Sequence, residues 1–224
     1  SSRRLCLFDL DGTLIPIDSD HAFGEFMVDI GWADGQHFRE RNNAFYADYQ
    51  AGTLNLAAYV DFATSVWRHR PLEEAEAERE RFMCEVMQPQ LRPPAFDLVR
   101  QHQARGDLMA IVTATNEFVT GPIAAALGVD HLLAVQLERE ADGRWSGCIR
   151  GTPTFREGKV RRVHDWLADQ GLRLDDFAEV AVYSDSINDL PLLELATEAV
   201  ATNPNPALEA IARERGWRIL RLFD

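Results

Sequence analysis

With 224 residues, 46% of them hydrophobic and 26% charged, the chain has a globular composition with room for one domain, or one domain carrying a smaller insert. Its formal net charge of −13 repels nucleic-acid phosphates and anionic membranes, so neither is expected as a partner. The same field repels a small anionic ligand unless a local cation or basic residue overcomes it.

Leu5–Phe8 is a short apolar run ending at a turn signal, and it predicts a buried parallel strand. From about Ser19 to Met87 the pattern is helical, with HAFGEFMVDIG, QHFRERNNAFYADYQAG, NLAAYVDFATSVWRHR and LEEAEAERERFMCEVM as candidate helices. Gly31, Gly35, Gly52 and Pro71 separate them, Pro16 marks the entrance, and Pro89, Pro93 and Pro94 mark the exit. FDLVRQHQARG predicts a helix before the strand LMAIVTAT, and NEFVTGPIAAALGV predicts the helix after it. HLLAVQLERE predicts a strand, and ADGRWSGCIRG a hairpin with a tight Asp-Gly turn. EGKVRRVHDWLADQG carries Val160, Val163, Trp166 and Leu167 on one helix face. The strand EVAVYSDS, the short helix DLPLLELA, the helix ALEAIARERG and the last strand WRILRLF complete the chain. Strands alternating with helices imply an α/β fold with a doubly wound, Rossmann-like parallel sheet, here interrupted after its first strand by an α-helical insert. The predicted division is a core of residues 1–16 and 89–224 and a cap of residues 17–88.

Cys6, Cys84 and Cys148 are far apart, odd in number and outside any CxxC spacing, which predicts reduced thiols. SSRRLCLFDLDGT has no long apolar stretch before its acids, and no run approaches membrane-spanning length, so a cytoplasmic protein is expected.

Ligands of open α/β sheets bind at the carboxyl ends of the strands. Three polar clusters fall at such ends: Asp9 with Asp11, Thr113 to Asn116, and Ser184 to Asp189. Asp11-Gly12 alone is a common turn pair. Asp9 directly follows an apolar strand, where a bare carboxylate is costly. YSDSINDLPLL repeats the pattern with Asp185 and Asp189. Two acidic pairs at adjacent strand ends are unfavourable without a cation. Oxygen donors with room for water suit Mg²⁺. The six histidines show no ligand spacing. Alone, Thr113 reads as a strand residue, Lys159 as a surface lysine and Asn188 as a helix cap.

Taken in order, DLDGTL at 9–14, the apolar strand ending in Thr113, Lys159 in REGKV and SDSINDLP at 184–191 resemble the four motifs of the haloacid dehalogenase-like superfamily. They frame nearly the whole chain, and the helical insert sits where the phosphoserine-phosphatase-like branch carries its cap. The resemblance implies a phosphatase, a phosphoric monoester hydrolase, that uses Mg²⁺. Asp9 would be the nucleophile forming an aspartyl-phosphate, and Asp11 the acid and then the base. Thr113, Lys159 and Asn188 would bind phosphate. The metal would be held by a carboxylate oxygen of Asp9, the backbone carbonyl of Asp11 and Asp185, with Asp189 in support. The second motif reads VTATN where phosphoserine phosphatases place Ser before glycines, and SDSIND lacks the Gly often found before its Asp.

The expected partner is a small phosphorylated metabolite; oligomeric state lies beyond the sequence. Asp18 stands nine residues after Asp9, the offset at which phosphoserine phosphatases carry an acid for the substrate amine. The other reading of IDSDH is a helix cap at Ser19 or Asp20. DSDHAFGEF resembles a bacterial subgroup that includes histidinol-phosphate phosphatases, which makes histidinol phosphate the leading substrate. Phosphoserine, or transfer by a phosphotransferase with the same nucleophile, is the alternative. Phe23, Phe45, Tyr46 and Tyr49 either meet an imidazole or form the interior of the insert. The insert is expected to act as a lid hinged near Pro16 and Pro89.

Overall fold

A computed structural model describes residues 3–223. The described residues form a seven-stranded sheet in the order β4-β3-β2-β1-β5-β6-β7. The strands are β1 (Arg3–Phe8), β2 (Leu108–Asn116), β3 (His131–Arg139), β4 (Trp145–Arg150), β5 (Phe177–Ser184), β6 (Glu198–Thr202) and β7 (Arg218–Leu220). All neighbours pair in parallel except β3 and β4, which form the antiparallel hairpin.

β1 lies between β2 and β5, and its side chains alternate between two buried faces. Leu5 and Leu7 pack with Val163 and Leu167 of α7 (Glu157–Asp169), Leu192 of α8 (Leu190–Glu194) and Leu208 of α9 (Pro206–Arg215). Cys6 and Phe8 face the layer that holds α5 (Pro93–Ala104) and α6 (Glu117–Leu127). Both faces of β1 are therefore dry, which is why its run is continuously apolar. The chain leaves β1 toward β2 in one direction and later reaches β5 on the other side. This reversal opens a crevice at the carboxyl end of β1.

Between β1 and β2 stand α1 (Ser19–Asp29), α2 (Gly35–Ala51), α3 (Leu56–Thr64) and α4 (Leu72–Phe82), followed by a π-helical turn at Met83–Met87. The insert shares one apolar cluster with the sheet layer. Trp67, 1% exposed, stacks on Phe118 of α6 at 4.0 Å and meets Trp145 of β4 edge-on at 6.2 Å. Arg79 lies over Phe118 and donates to its carbonyl at 3.0 Å. Opening the insert as one body would expose these rings. By contrast α2 buries only Phe38 and Asn42.

Three predicted elements differ in extent. The third helix stops at Thr64 instead of running to Arg70. There the Thr64 and Ser65 hydroxyls donate to the carbonyls of Val60 and Phe62, a local alternative to the helical ladder. The β3–β4 loop is longer than a two-residue turn: the Gly143 N–H donates to the Glu140 carbonyl, and Gly143 has φ +86°. The last strand covers only Arg218–Leu220. Among the described residues no helix is long and apolar enough to cross a membrane.

Candidate active site

Asp9 leaves β1 where its own N–H still donates to the Tyr183 carbonyl of β5 at 2.9 Å. Its side chain is thereby held at the seam of two strands, 5% exposed. Burying a carboxylate there requires a partner, and Lys159 supplies it. The Lys159 ammonium, 2% exposed, lies 3.0 Å from Asp9 Oδ1 and 2.9 Å from Asp189 Oδ1. Burial works against its charge, but the carboxylates of Asp189 and Asp9 outweigh this and raise its pKa above that of a free lysine. Ser184 Oγ donates to Asp189 at 2.7 Å, which fixes the acid from the end of β5. Even so, burial lifts the Asp189 carboxyl to about 6, against the pull of Lys159.

Gly12 turns the chain at φ +75°. A Cβ there would lie 2.3 Å from Asp185 Oδ2, so only glycine lets Asp185 approach this closely. Thr13 Oγ1 donates to Asp185 Oδ1 at 3.1 Å and accepts from the Asp185 N–H at 3.1 Å. Asn203, at φ +47°, ties the same loop by donating to the carbonyls of Gly12 and Thr13. Burial, and next the neighbouring Asp9, push the Asp185 carboxyl well above the usual carboxylate range.

Asp11 points the other way. Its carboxylate accepts the Ser19 N–H at 2.7 Å and the Thr115 hydroxyl at 2.8 Å. Burial, then the charge of Asp18, raise its pKa to about 7, and these hydrogen bonds limit the rise. Thr113 is buried in β2, which continues three residues past it to Asn116, and its hydroxyl oxygen accepts the Thr115 N–H at 3.1 Å, leaving its own hydrogen to donate. Asn116, in the same polar cluster, caps α6 instead, accepting from the N–H groups of Phe118 and Val119.

Asp9, Asp185, Asp189 and Lys159 thus come together, with Thr113 and the Asp11 side chain on the adjoining wall. Asn188 is turned toward the insert, its amide donating to the Tyr49 carbonyl at 3.3 Å. Arg156 donates to the Gly52 carbonyl beside it. The first bond ends in the last turn of α2 and the second on Gly52, its C-cap, bridging the insert to loops of the sheet layer. The helix cap expected at Ser19 or Asp20 is Asp18, whose carboxylate accepts the His21 N–H at 2.8 Å. Burial raises the Asp18 carboxyl to about 6. Among the described residues no three Asp, Glu, His or Cys side chains form a ready-made metal cage.

A cavity runs from Asp9 and Thr113 into the insert. Asp11, Asp18 and Asp20 line it together with Phe45, Tyr46 and Tyr59. No Lys or Arg among the described residues does. Of the expected aromatics, Phe45, Tyr46 and Tyr49 reach this cavity, whereas Phe23 packs against Phe82 in the interior. The sequence assigns no site role to Thr13 or Tyr59, offers Asp20 only as a helix cap, and marks Thr115 only as part of the cluster Thr113 to Asn116. Thr115 had a usable signal: it lies two residues after Thr113, on the same face of the strand. Tyr59 had none, since its partner is 39 residues away.

Residues 6–194 match the haloacid dehalogenase-like hydrolase family. A histidinol-phosphatase of Neisseria meningitidis serogroup C (strain 8013) is 41% identical over 219 residues, covering 97% of this chain and 98% of the relative. A solved structure of a protein of unknown function from Bordetella pertussis Tohama I superimposes with a TM-score of 0.93 at 50% identity, over the full length of both chains. A substrate-bound phosphoserine phosphatase complex shares the fold, with a TM-score of 0.69 at 19% identity over 98% of this chain and 93% of the other. Strand-end acids at the first and last motifs, a helical insert after the first strand and these likenesses lead to one conclusion: the chain belongs to the haloacid dehalogenase-like hydrolase family and is a phosphatase.

Proposed function

We propose that the chain is a Mg²⁺-dependent phosphomonoesterase that hydrolyses histidinol phosphate through a phosphorylated Asp9. The observation that carries the substrate reading is the cavity. Asp9 stands at one end, and Asp11, Asp18, Asp20 and His21 line the cavity further in, with no Lys or Arg there among the described residues. Such walls favour a substrate with a phosphate at one end and positive charge beyond it. Phosphoserine is less well supported, because its carboxylate would face these acids without a cation. The name of the 41% identical relative agrees with this choice.

In this reading Asp9 attacks phosphorus, and the ester P–O bond breaks. Asp11, with its carboxyl raised to about 7, still carries a proton near neutral pH and gives it to the leaving alcohol. The Asp11 carboxylate then takes a proton from water, whose oxygen attacks phosphorus and breaks the bond to Asp9. Inorganic phosphate leaves and both acids return to their starting states. The Thr113 hydroxyl and a Lys159 N–H hold phosphate oxygens, and Asn188 joins them on leaving the Tyr49 carbonyl. The carboxylates of Asp9 and Asp185 and the Asp11 carbonyl offer an all-oxygen donor set that suits Mg²⁺. The raised pKa of Asp185 beside Asp9 marks buried negative charge that a divalent cation would offset. Asp189 steadies this set through Lys159 and Ser184. When bound, Mg²⁺ supplies the positive charge that lets an anionic nucleophile meet an anionic phosphate. Residues 17–88 serve as the cap over a core of 1–16 and 89–224. The free thiols of Cys6, Cys84 and Cys148 suit a reducing cytoplasm.

The test is phosphate release from a panel of phosphorylated metabolites with Mg²⁺, comparing wild type with Asp9→Asn. Histidinol phosphate should give the highest kcat/KM, and release should fall to background in the variant. Turnover of sugar phosphates alone would sink the substrate assignment. Full activity in Asp9→Asn would sink the mechanism.

A further inference from the structure

Asp18, the acid at the expected offset, caps α1 at the mouth of the cavity. Asp20 is placed differently. It is 7% exposed, and its Oδ2 accepts the Tyr59 hydroxyl at 2.6 Å. That is its one side-chain hydrogen bond among the described residues, so Oδ1 has no partner there. Helix formation does not need this acid, because Asp18 already occupies the N-cap. Neither does any ion pair, since no Lys or Arg among the described residues bridges to it. Asp20 Oδ1 is not among the fully buried oxygens that lack a partner, so this cavity-lining atom is open to accept a donor from outside the chain.

The surroundings narrow the donor. The Tyr59 ring meets Phe45 at 5.4 Å with planes at 61°, and Leu54 and Leu56 line the same cavity. The Tyr46 ring lies 5.2 Å from that of His21. Aromatic and aliphatic walls around one acceptor suit a flat ring that carries an N–H at its edge. A flexible primary ammonium keeps its water more readily at the outer Asp18. Asp9 and Asp20 line the same cavity.

We infer that the Asp20–Tyr59 pair is the specificity element for the substrate's imidazole ring, with Asp20 accepting a ring N–H and Tyr59 orienting the carboxylate. This rests on the reading of the chain as a histidinol-phosphate phosphatase and adds which residues select the ring. Asp20 is a substrate contact, and Tyr59 a positioning residue acting through it.

The experiment compares histidinol phosphate with phenylalaninol phosphate, which keeps the amine and the phosphate but has no ring N–H. Steady-state kinetics with Mg²⁺ are measured for wild type, Asp20→Asn and Tyr59→Phe. The wild type should prefer histidinol phosphate. In Asp20→Asn that preference, read as the ratio of kcat/KM values, should fall by about 10- to 100-fold, as for loss of a hydrogen bond to a charged group. The loss should lie mainly in KM. Tyr59→Phe should move the ratio the same way by a smaller factor, and it carries the test alone should Asp20→Asn fail to fold. An unchanged ratio in folded variants overturns the inference, as does an equal fall in kcat for both substrates, which marks a structural role. If the wild type itself fails to hydrolyse histidinol phosphate while releasing phosphate from other compounds, the substrate reading fails, and this inference with it. That outcome is seen in the wild type, so the two failures are distinct.

Discussion

Replacing Lys159 by Met removes the only ammonium within the buried acidic site among the described residues and nearly preserves its volume. In the wild type this group bridges Asp9 at 3.0 Å and Asp189 at 2.9 Å, with all three side chains almost fully buried. Removing one partner of a buried ion pair leaves the other charge uncompensated, at a cost of about 3–5 kcal/mol. The packing change from a volume-conserving substitution is smaller, below about 1.5 kcal/mol. The loss should depend on pH, with a definite sign. Burial raises the Asp189 carboxyl to about 6 from its ordinary 3.8, so between these values the folded protein holds a proton that the unfolded chain has released. A raised carboxyl pKa means that this group's contribution to stability falls as pH rises through that window. Without Lys159 the folded Asp189 pKa moves higher still. The variant should therefore differ little from wild type near pH 4 and reach its full destabilisation of about 3–5 kcal/mol above neutrality. Urea unfolding of metal-free protein at pH 4.5 and 7.5 measures this. A deficit below about 1 kcal/mol at pH 7.5, or an equal deficit at both pH values, would refute the electrostatic account.

Gly12→Ala places a methyl 2.3 Å from Asp185 Oδ2 at a φ of +75°. The backbone strain alone should cost about 1–2 kcal/mol, and displacement of Asp185 should lower kcat by roughly 100-fold, the scale of an ångström-sized misplacement. Calorimetry and steady-state kinetics read the two effects, and wild-type kcat would contradict the packing described. Trp67→Ala removes the ring that joins the insert to Phe118 and Trp145 and should cost about 3–5 kcal/mol. A change in urea midpoint worth less than about 1 kcal/mol would mean that the insert is held to the sheet elsewhere.

Much of the architecture was legible because the signals are local. The run Leu5–Phe8 is apolar at every position because both faces of β1 are covered, and the acids begin where the strand leaves its neighbours. The helices of the insert follow their glycine and proline punctuation, as at Gly52, which ends α2 in the left-handed conformation. The early end of α3 was not legible, because hydroxyls at Thr64 and Ser65 compete with the helical ladder only when they turn back on it. A helical insert was also foreseeable, but its packing on the sheet layer was not. Trp67 and Phe118 are 51 residues apart in the chain, and nothing in either neighbourhood marks the other as a partner.

The sequence by itself determined which chemistry-bearing groups stand at strand ends, since an apolar run followed by Asp9, Thr113 or Asp185 fixes their place by periodicity. It also determined the order of the motifs and hence the family. Only the tertiary structure decided what each group faces. It set Lys159, which alone looks like a surface lysine, between Asp9 and Asp189 across 150 and 30 residues of chain. It turned Asp18 to cap a helix and Asp20 to accept the Tyr59 hydroxyl, two residues apart on one turn. The reason is physical: a side chain's role depends on burial and on partners brought in from distant segments, and neither is encoded by its immediate neighbours.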